Sequence, residues 1–168
     1  MKLYIKQKVF SWKDKFTVKN EYGEDKYTVE GEIFSLGKKL HVCDMQGREV
    51  AFIQQKVMSF LPRYFVYVGN DQVAEIVKKF SFFKPKYDVI GLNWEVTGNF
   101  MAHDYEVTQN GSPVVEIHKE WMTWGDSYEL NIAPSADEIV ALATVLAIDC
   151  ATENSGGASV SVSVGGGN

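Results

Sequence analysis

Apolar and polar positions alternate with period two along most of this chain. Tyr27, Val29 and Ile33 interleave with Lys26, Thr28, Glu30 and Glu32, the pattern of a half-buried strand. Four segments share a finer arrangement: an Ile opens a strand, a polar and basic middle follows, an aromatic marks the tip, and a second aromatic comes eleven positions after the Ile. They run Ile5 to Trp12 to Phe16, Ile53 to Phe60 to Tyr64, Ile76 to Phe83 to Tyr87, and Ile117 to Trp124 to Tyr128. Val50, Val73 and Val114 precede the last three Ile residues. Each copy predicts a hairpin that cannot bury its apolar face alone. Turn chemistry separates the segments at Asp44–Gly47, Gly69–Asp71 and Asn110-Gly111, the last tolerating positive φ at both positions. About twelve strands are expected between residues 2 and 132, spaced as in a sandwich or barrel.

One segment breaks the alternation. Pro134-Ser-Ala-Asp-Glu138 predicts a helix start with Ser135 as N-cap and Glu138 completing a capping box. Ile139 to Ile148 is then apolar on every side, so a helix over about 136–150 has to be enclosed rather than laid on a surface. Ten residues rise roughly 15 Å, about half a bilayer's hydrocarbon thickness, which argues against a membrane span. The simplest host is the inside of a closed barrel. A barrel domain over 1–153 would leave 154–168, rich in Gly and Ser and without charge, as a flexible tail, with a weak edge strand at the Ser-Val alternation of 159–164 as the other reading.

Composition refines this picture at three points. Residues 1–90 hold 16 Lys and Arg against 11 Asp and Glu, whereas residues 91–168 hold only Lys119 against 11 acids. The net charge of −5 therefore hides a basic half and an acidic half. The split marks a polyanion- or anionic-lipid-facing surface, unless the strand order interleaves the halves and averages them. Cys43 and Cys150 lie far apart without metal-ligand spacing and read as free thiols in a reducing compartment. The amino terminus has no apolar core of a signal peptide, so a cytoplasmic protein is expected, with peripheral membrane association as an option.

Lys6 to Val18, Tyr27 to Leu40 and the Val50 to Tyr64 hairpin resemble the LURP-one-related (LOR) family, in particular its bacterial YxjI-like branch. The resemblance covers about residues 1–152. It implies a tubby C-terminal-like fold, a twelve-stranded β-barrel around a central hydrophobic C-terminal helix. Superfamily relatives include phosphoinositide-binding tubby-type proteins and phospholipid scramblases. No basic lipid-contacting motif of the tubby proteins and no acidic calcium-binding segment of the scramblase kind can be matched here, so no binding residue is carried over.

Catalytic patterns are not evident. No Gly-x-Ser-x-Gly elbow occurs, and Gly125-Asp-Ser127 falls in a late hairpin. Gly31 to Gly37-Lys38 has five residues between its glycines and no Ser or Thr after the lysine, unlike a P-loop. His41, His103 and His118 share no ligand spacing, and each is expected to be hydrogen-bonded or solvent-facing. Neither an enzyme, a metal nor a cofactor is expected, and a sequence pI near 5.2 disfavours nucleic acid. The strongest candidate site is a basic and aromatic tip: Lys78, Lys79, Phe82, Phe83, Lys84 and Lys86. Such a tip can press rings into a headgroup layer while ammonium groups meet anionic phosphate, each lysine contributing about 1 kcal/mol. A second cluster is Lys13, Lys15 and Lys19, extended by Lys38 and Lys39. The competing expectations are a lipid- or protein-binding scaffold, an interaction protein without a small ligand whose tip aromatics pack on the barrel rim, and a scramblase-like lipid-handling protein.

Overall fold

The computed structural model describes residues 1–6, 15–32, 36–81, 86–122 and 125–153. Twelve antiparallel strands close into a barrel: β1 (Lys2–Lys6), β2 (Phe16–Asn20), β3 (Asp25–Gly31), β4 (Lys39–Asp44), β5 (Glu49–Gln55), β6 (Arg63–Val68), β7 (Asp71–Lys79), β8 (Lys86–Ile90), β9 (Trp94–Asn99), β10 (Asp104–Gln109), β11 (Ser112–Met122) and β12 (Gly125–Ile132). Each strand pairs with its sequence neighbour, and β1 closes the ring on β12 from Lys2↔Asn131 to Lys6↔Ser127. The Met1 ammonium donates to the Ile132 carbonyl at 2.9 Å and fastens that seam.

The sequence repeat is a repeat of register. Ile5 faces Val18, Ile53 faces Val66, Ile76 faces Val89 and Ile117 faces Leu130, so all four hairpins pair their Ile with the residue thirteen positions later. Because side chains alternate across a strand, these eight residues all point inward, and each is at most 5% exposed.

Helix α1 (Glu138–Glu153) fills the barrel, and every residue from Ala141 to Thr152 is buried. It packs chiefly against β5, β6 and β7. The start differs from the expected capping box. Asp137 rather than Ser135 is the N-cap, its Oδ1 accepting from the N–H groups of Ile139 (2.9 Å) and Val140 (3.0 Å). Glu138 turns away to accept from Tyr27 Oη at 2.6 Å and to pair with Lys26 at 2.7 Å. The phenol of buried Tyr27 needs an acceptor, and Glu138 ties the first helical turn to β3 while supplying it.

Strand order also settles the charge question. An up-and-down barrel does not interleave its halves. β1 to β8 form one continuous arc carrying the basic half, and β9 to β12 form another with seven of the eleven acids of residues 91–168. The other four, Asp137, Glu138, Asp149 and Glu153, belong to the helix and its N-cap, where Glu138 and Glu153 meet Lys26 and Lys38. The expectation that the barrel averages the two is corrected by this meander.

Candidate functional site

In this meander the odd-numbered strands end and the even-numbered strands begin at one end of the barrel. The helix enters at the opposite end and finishes at this one, where Lys38 lies 3.9 Å from Glu153. Three adjacent loops of this end, after β3, β5 and β7, carry exposed Leu36, Val57, Met58, Phe60 and Phe80. Met58 and Phe60 are 100% and 98% exposed. Met58 also holds the left-handed backbone conformation at φ 60°, an uncommon setting for a bulky side chain and one that costs of order 1 kcal/mol. The loops are stitched together by backbone: Gln55 N–H donates to Lys38 O at 2.8 Å, Lys56 N–H to Arg63 O at 2.9 Å, and Lys78 N–H to Pro62 O at 3.0 Å. The side chains are thus displayed from a tied framework. Packing of tip aromatics onto the rim, expected from the repeat, does not occur at Phe60.

The candidate lysines divide between two faces. Lys78 belongs to the inward series of β7 with Ala74 and Ile76, and burial lowers its pKa. Lys79 and Lys86 face outward, directly opposite one another in the β7–β8 ladder, and Lys79 pairs with Asp88 at 2.7 Å. Exposed Lys56 joins them from the neighbouring loop. Phe82, Phe83 and Lys84 lie outside the described residues, as do Trp12, Lys13 and Trp124. In the second cluster, Lys15 approaches Glu30 at 3.6 Å, Lys19 pairs with Asp25 at 2.5 Å and Lys39 with Glu32 at 3.0 Å.

Beneath the loops lies a feature the sequence reading did not single out. The aromatic closing three of the four repeats is a tyrosine whose hydroxyl meets the last turns of α1. Tyr64 donates to Cys150 O (3.3 Å), Tyr87 shares a hydrogen bond with Thr152 Oγ1 (2.9 Å), and Tyr128 donates to Asp149 (2.5 Å). Tyr105 donates to the other Asp149 oxygen at 3.3 Å. Asp149 is buried, and desolvation raises its pKa to about 7 against the opposing pull of the two tyrosine hydrogen bonds. Its signal was visible as the first acid to interrupt the apolar run after Ile139.

His103 completes this cluster. It ends a short 3-10 turn (Phe100–Ala102) in the left-handed conformation, stacks on Tyr128 at 4.3 Å, and brings Nε2 to 3.8 Å from Asp149. Burial, then the charge of Lys119, lowers its pKa. Its Nδ1 has no hydrogen-bond partner among the described residues. The expectation that His103 is hydrogen-bonded or solvent-facing is therefore corrected, whereas His41 and His118 do bond carboxylates on the outer wall. Among the described residues no three His, Cys, Asp or Glu are grouped to hold a metal ion. No described helix is long and apolar enough to cross a membrane.

Known proteins share this architecture. A solved structure of an Arabidopsis thaliana protein superposes with a TM-score of 0.63 over 90% of each chain, at 16% identity. The uncharacterized protein YxjI of Bacillus subtilis is 38% identical over 154 residues, covering 92% of this chain and 95% of its own. The LURP-one-related family matches residues 1–149, and with this barrel and enclosed helix the chain belongs to that family.

Proposed function

We propose that the domain is a non-enzymatic peripheral binder of anionic membranes that docks through the loop end. One observation carries this reading: three adjacent loops at one end present exposed Leu36, Val57, Met58, Phe60 and Phe80 beside Lys56, Lys79 and Lys86. Exposed apolar side chains grouped in this way mark an interaction surface. Shallow insertion of a thioether and the Phe60 and Phe80 rings yields hydrophobic energy, and each nearby lysine adds about 1 kcal/mol at an anionic surface. The segregated charge suits the same orientation, since the acidic arc of β9 to β12 can turn away while the basic arc leans toward the lipid. A protein partner with an acidic, apolar surface is the competing reading and draws on the same side chains.

Flotation with phosphatidylglycerol vesicles and with neutral phosphatidylcholine vesicles tests the proposal. Binding is expected on the anionic vesicles alone and should weaken steeply from low to physiological salt, as the Debye length shortens to about 8 Å. Met58→Asp with Phe60→Asp should abolish it without changing the melting temperature, because neither side chain packs in the fold. A wild-type protein that ignores anionic vesicles at low salt overturns the membrane reading.

A further inference from the structure

Among the described residues the barrel wall opens between β8 and β9. Among the described residues their ladder consists of Asp88↔Glu95 and Val89↔Trp94, although β9 runs on to Asn99 and stays paired with β10 throughout. Gly98 supplies a local cause. Its φ of +130° is accessible to glycine alone, and a Cβ there would sit 2.5 Å from Tyr105 Cα, so β9 presses against β10 as it leaves β8. The consequence shows in the interior series. Trp94 and Val96 are only half-buried, and β9 is the one strand among the described residues with no buried side chain. A cleft of about 640 Å³ results, floored by Tyr87, Trp94, Val96 and Phe100 and bordered by Lys79 and Lys86.

We infer that this cleft is a binding site for a single-chain amphiphile with an anionic head, such as a long-chain fatty carboxylate. The volume lies within the range of small-molecule sites, and an apolar floor with few polar groups at its edge is their usual construction. Lys79 and Lys86 stand directly across the β7–β8 ladder, an unfavourable placement of like charges. Asp88 pairs with Lys79, whereas Lys86 has no ion-pair partner among the described residues and can meet a carboxylate beside the floor. Two further acids stand on the border: Glu95 lies across the ladder from Asp88, on the same outward face as Lys86, and Asp104 hydrogen-bonds His118 at 3.2 Å. A peptide strand fits less well. The kink at Gly98 leaves only Val96 and Thr97 as consecutive regular positions on the β8-facing edge of β9, whereas strands average about 5–6 residues. A hydrocarbon chain needs no register.

This site shares Lys79 and Lys86 with the loop end but none of its exposed apolar side chains, so variants of Met58 and Phe60 and of Val96 let either proposal fail alone. The test is calorimetric titration of the full chain with octanoate, decanoate, laurate and myristate below their micelle concentrations. One-to-one saturable binding is expected, tightening about fourfold per added methylene until the cleft is full. Lys86→Gln, a surface change, should weaken laurate about tenfold and leave 1-dodecanol unaffected. Val96→Phe should weaken both more than tenfold, and the Met58→Asp, Phe60→Asp double variant should bind laurate normally. Absence of saturable laurate binding to the folded wild type overturns the inference. So does Lys86→Gln weakening the alcohol and the acid equally, or a folded Val96→Phe variant that binds laurate as the wild type does.

Discussion

Asp149 makes the stability of this barrel depend on pH in a way that can be worked out beforehand. The folded state holds its proton more tightly than the unfolded chain does, with a pKa of about 7 caused first by desolvation, against roughly 3.9 for an exposed aspartate. The stabilising contribution is complete below about pH 4 and is lost as pH rises through about 7. Each pKa unit corresponds to about 1.4 kcal/mol, so integrating from pH 5 to pH 8 gives a loss of about 2.5 kcal/mol. That corresponds to about 5–10 °C in melting temperature for a domain of this size. Tyr105 and Tyr128 donate to the carboxyl group, and burial, then the charge of Lys119, lowers the pKa of the neighbouring His103.

The assay is urea unfolding of wild type and Asp149→Asn at pH 5, 6, 7 and 8. The carboxamide cannot accept both tyrosine hydrogen bonds, which costs about 1 kcal/mol at every pH. That offset is constant and does not enter the slope. The difference between the two proteins should shift by about 2.5 kcal/mol in favour of the carboxamide variant across the range. A difference that stays constant from pH 5 to pH 8 refutes the reasoning, because Asp149 would then ionise alike in the folded and unfolded states.

Two further outcomes follow from the same structure. Leu142→Ala, inside the enclosed helix, should destabilise by about 3 kcal/mol in urea unfolding, while Leu142→Asp should fail to fold because it buries a charge without a partner. His41 loses some affinity for its proton to burial but gains more from its hydrogen bonds to Glu49 and Glu32, so its pKa is raised. Its contribution is full below about pH 6.5 and is lost as pH rises through the raised value. His41→Gln should accordingly narrow the gap between wild-type stability at pH 5.5 and at pH 8.5, read by thermal melting.

The barrel was legible in the sequence because its two signals are local. Period-two alternation with turn residues marks strands one at a time, and the count of about twelve between residues 2 and 132 matches β1 at Lys2 to β12 at Ile132. Ile139 to Ile148, apolar all round, cannot rest on a surface, so enclosure followed from solvation alone. Features that depend on which strands meet were not legible. Whether the charges segregate depends on strand order. The choice of Asp137 over Ser135 as cap depends on Tyr27, more than a hundred residues away, requiring Glu138. The opening at β8 and β9 depends on how closely Gly98 approaches Tyr105, and nothing in Trp94 to Asn99 distinguishes it from an ordinary strand until that contact exists.

The aromatic that closes each repeat shows how one sequence position can carry two roles. As a ring it seals the inward face of its strand, and Phe16, Tyr64, Tyr87 and Tyr128 are all buried there. As a phenol it also needs a partner, and the helix supplies one wherever its last turns pass: Cys150 O, Thr152 and Asp149. The end of a helix leaves carbonyl groups without intrahelical donors, and an apolar barrel offers no water to satisfy them. Hydroxyl groups brought in from three hairpins position the helix terminus within the strand ring, directly under the loops that display Met58 and Phe60. Asp149 sits in this same contact, so its ionisation as pH rises through about 7 places a buried negative charge at the helix terminus beneath the loop end. The tie between the core and the proposed docking surface therefore runs through the tyrosines.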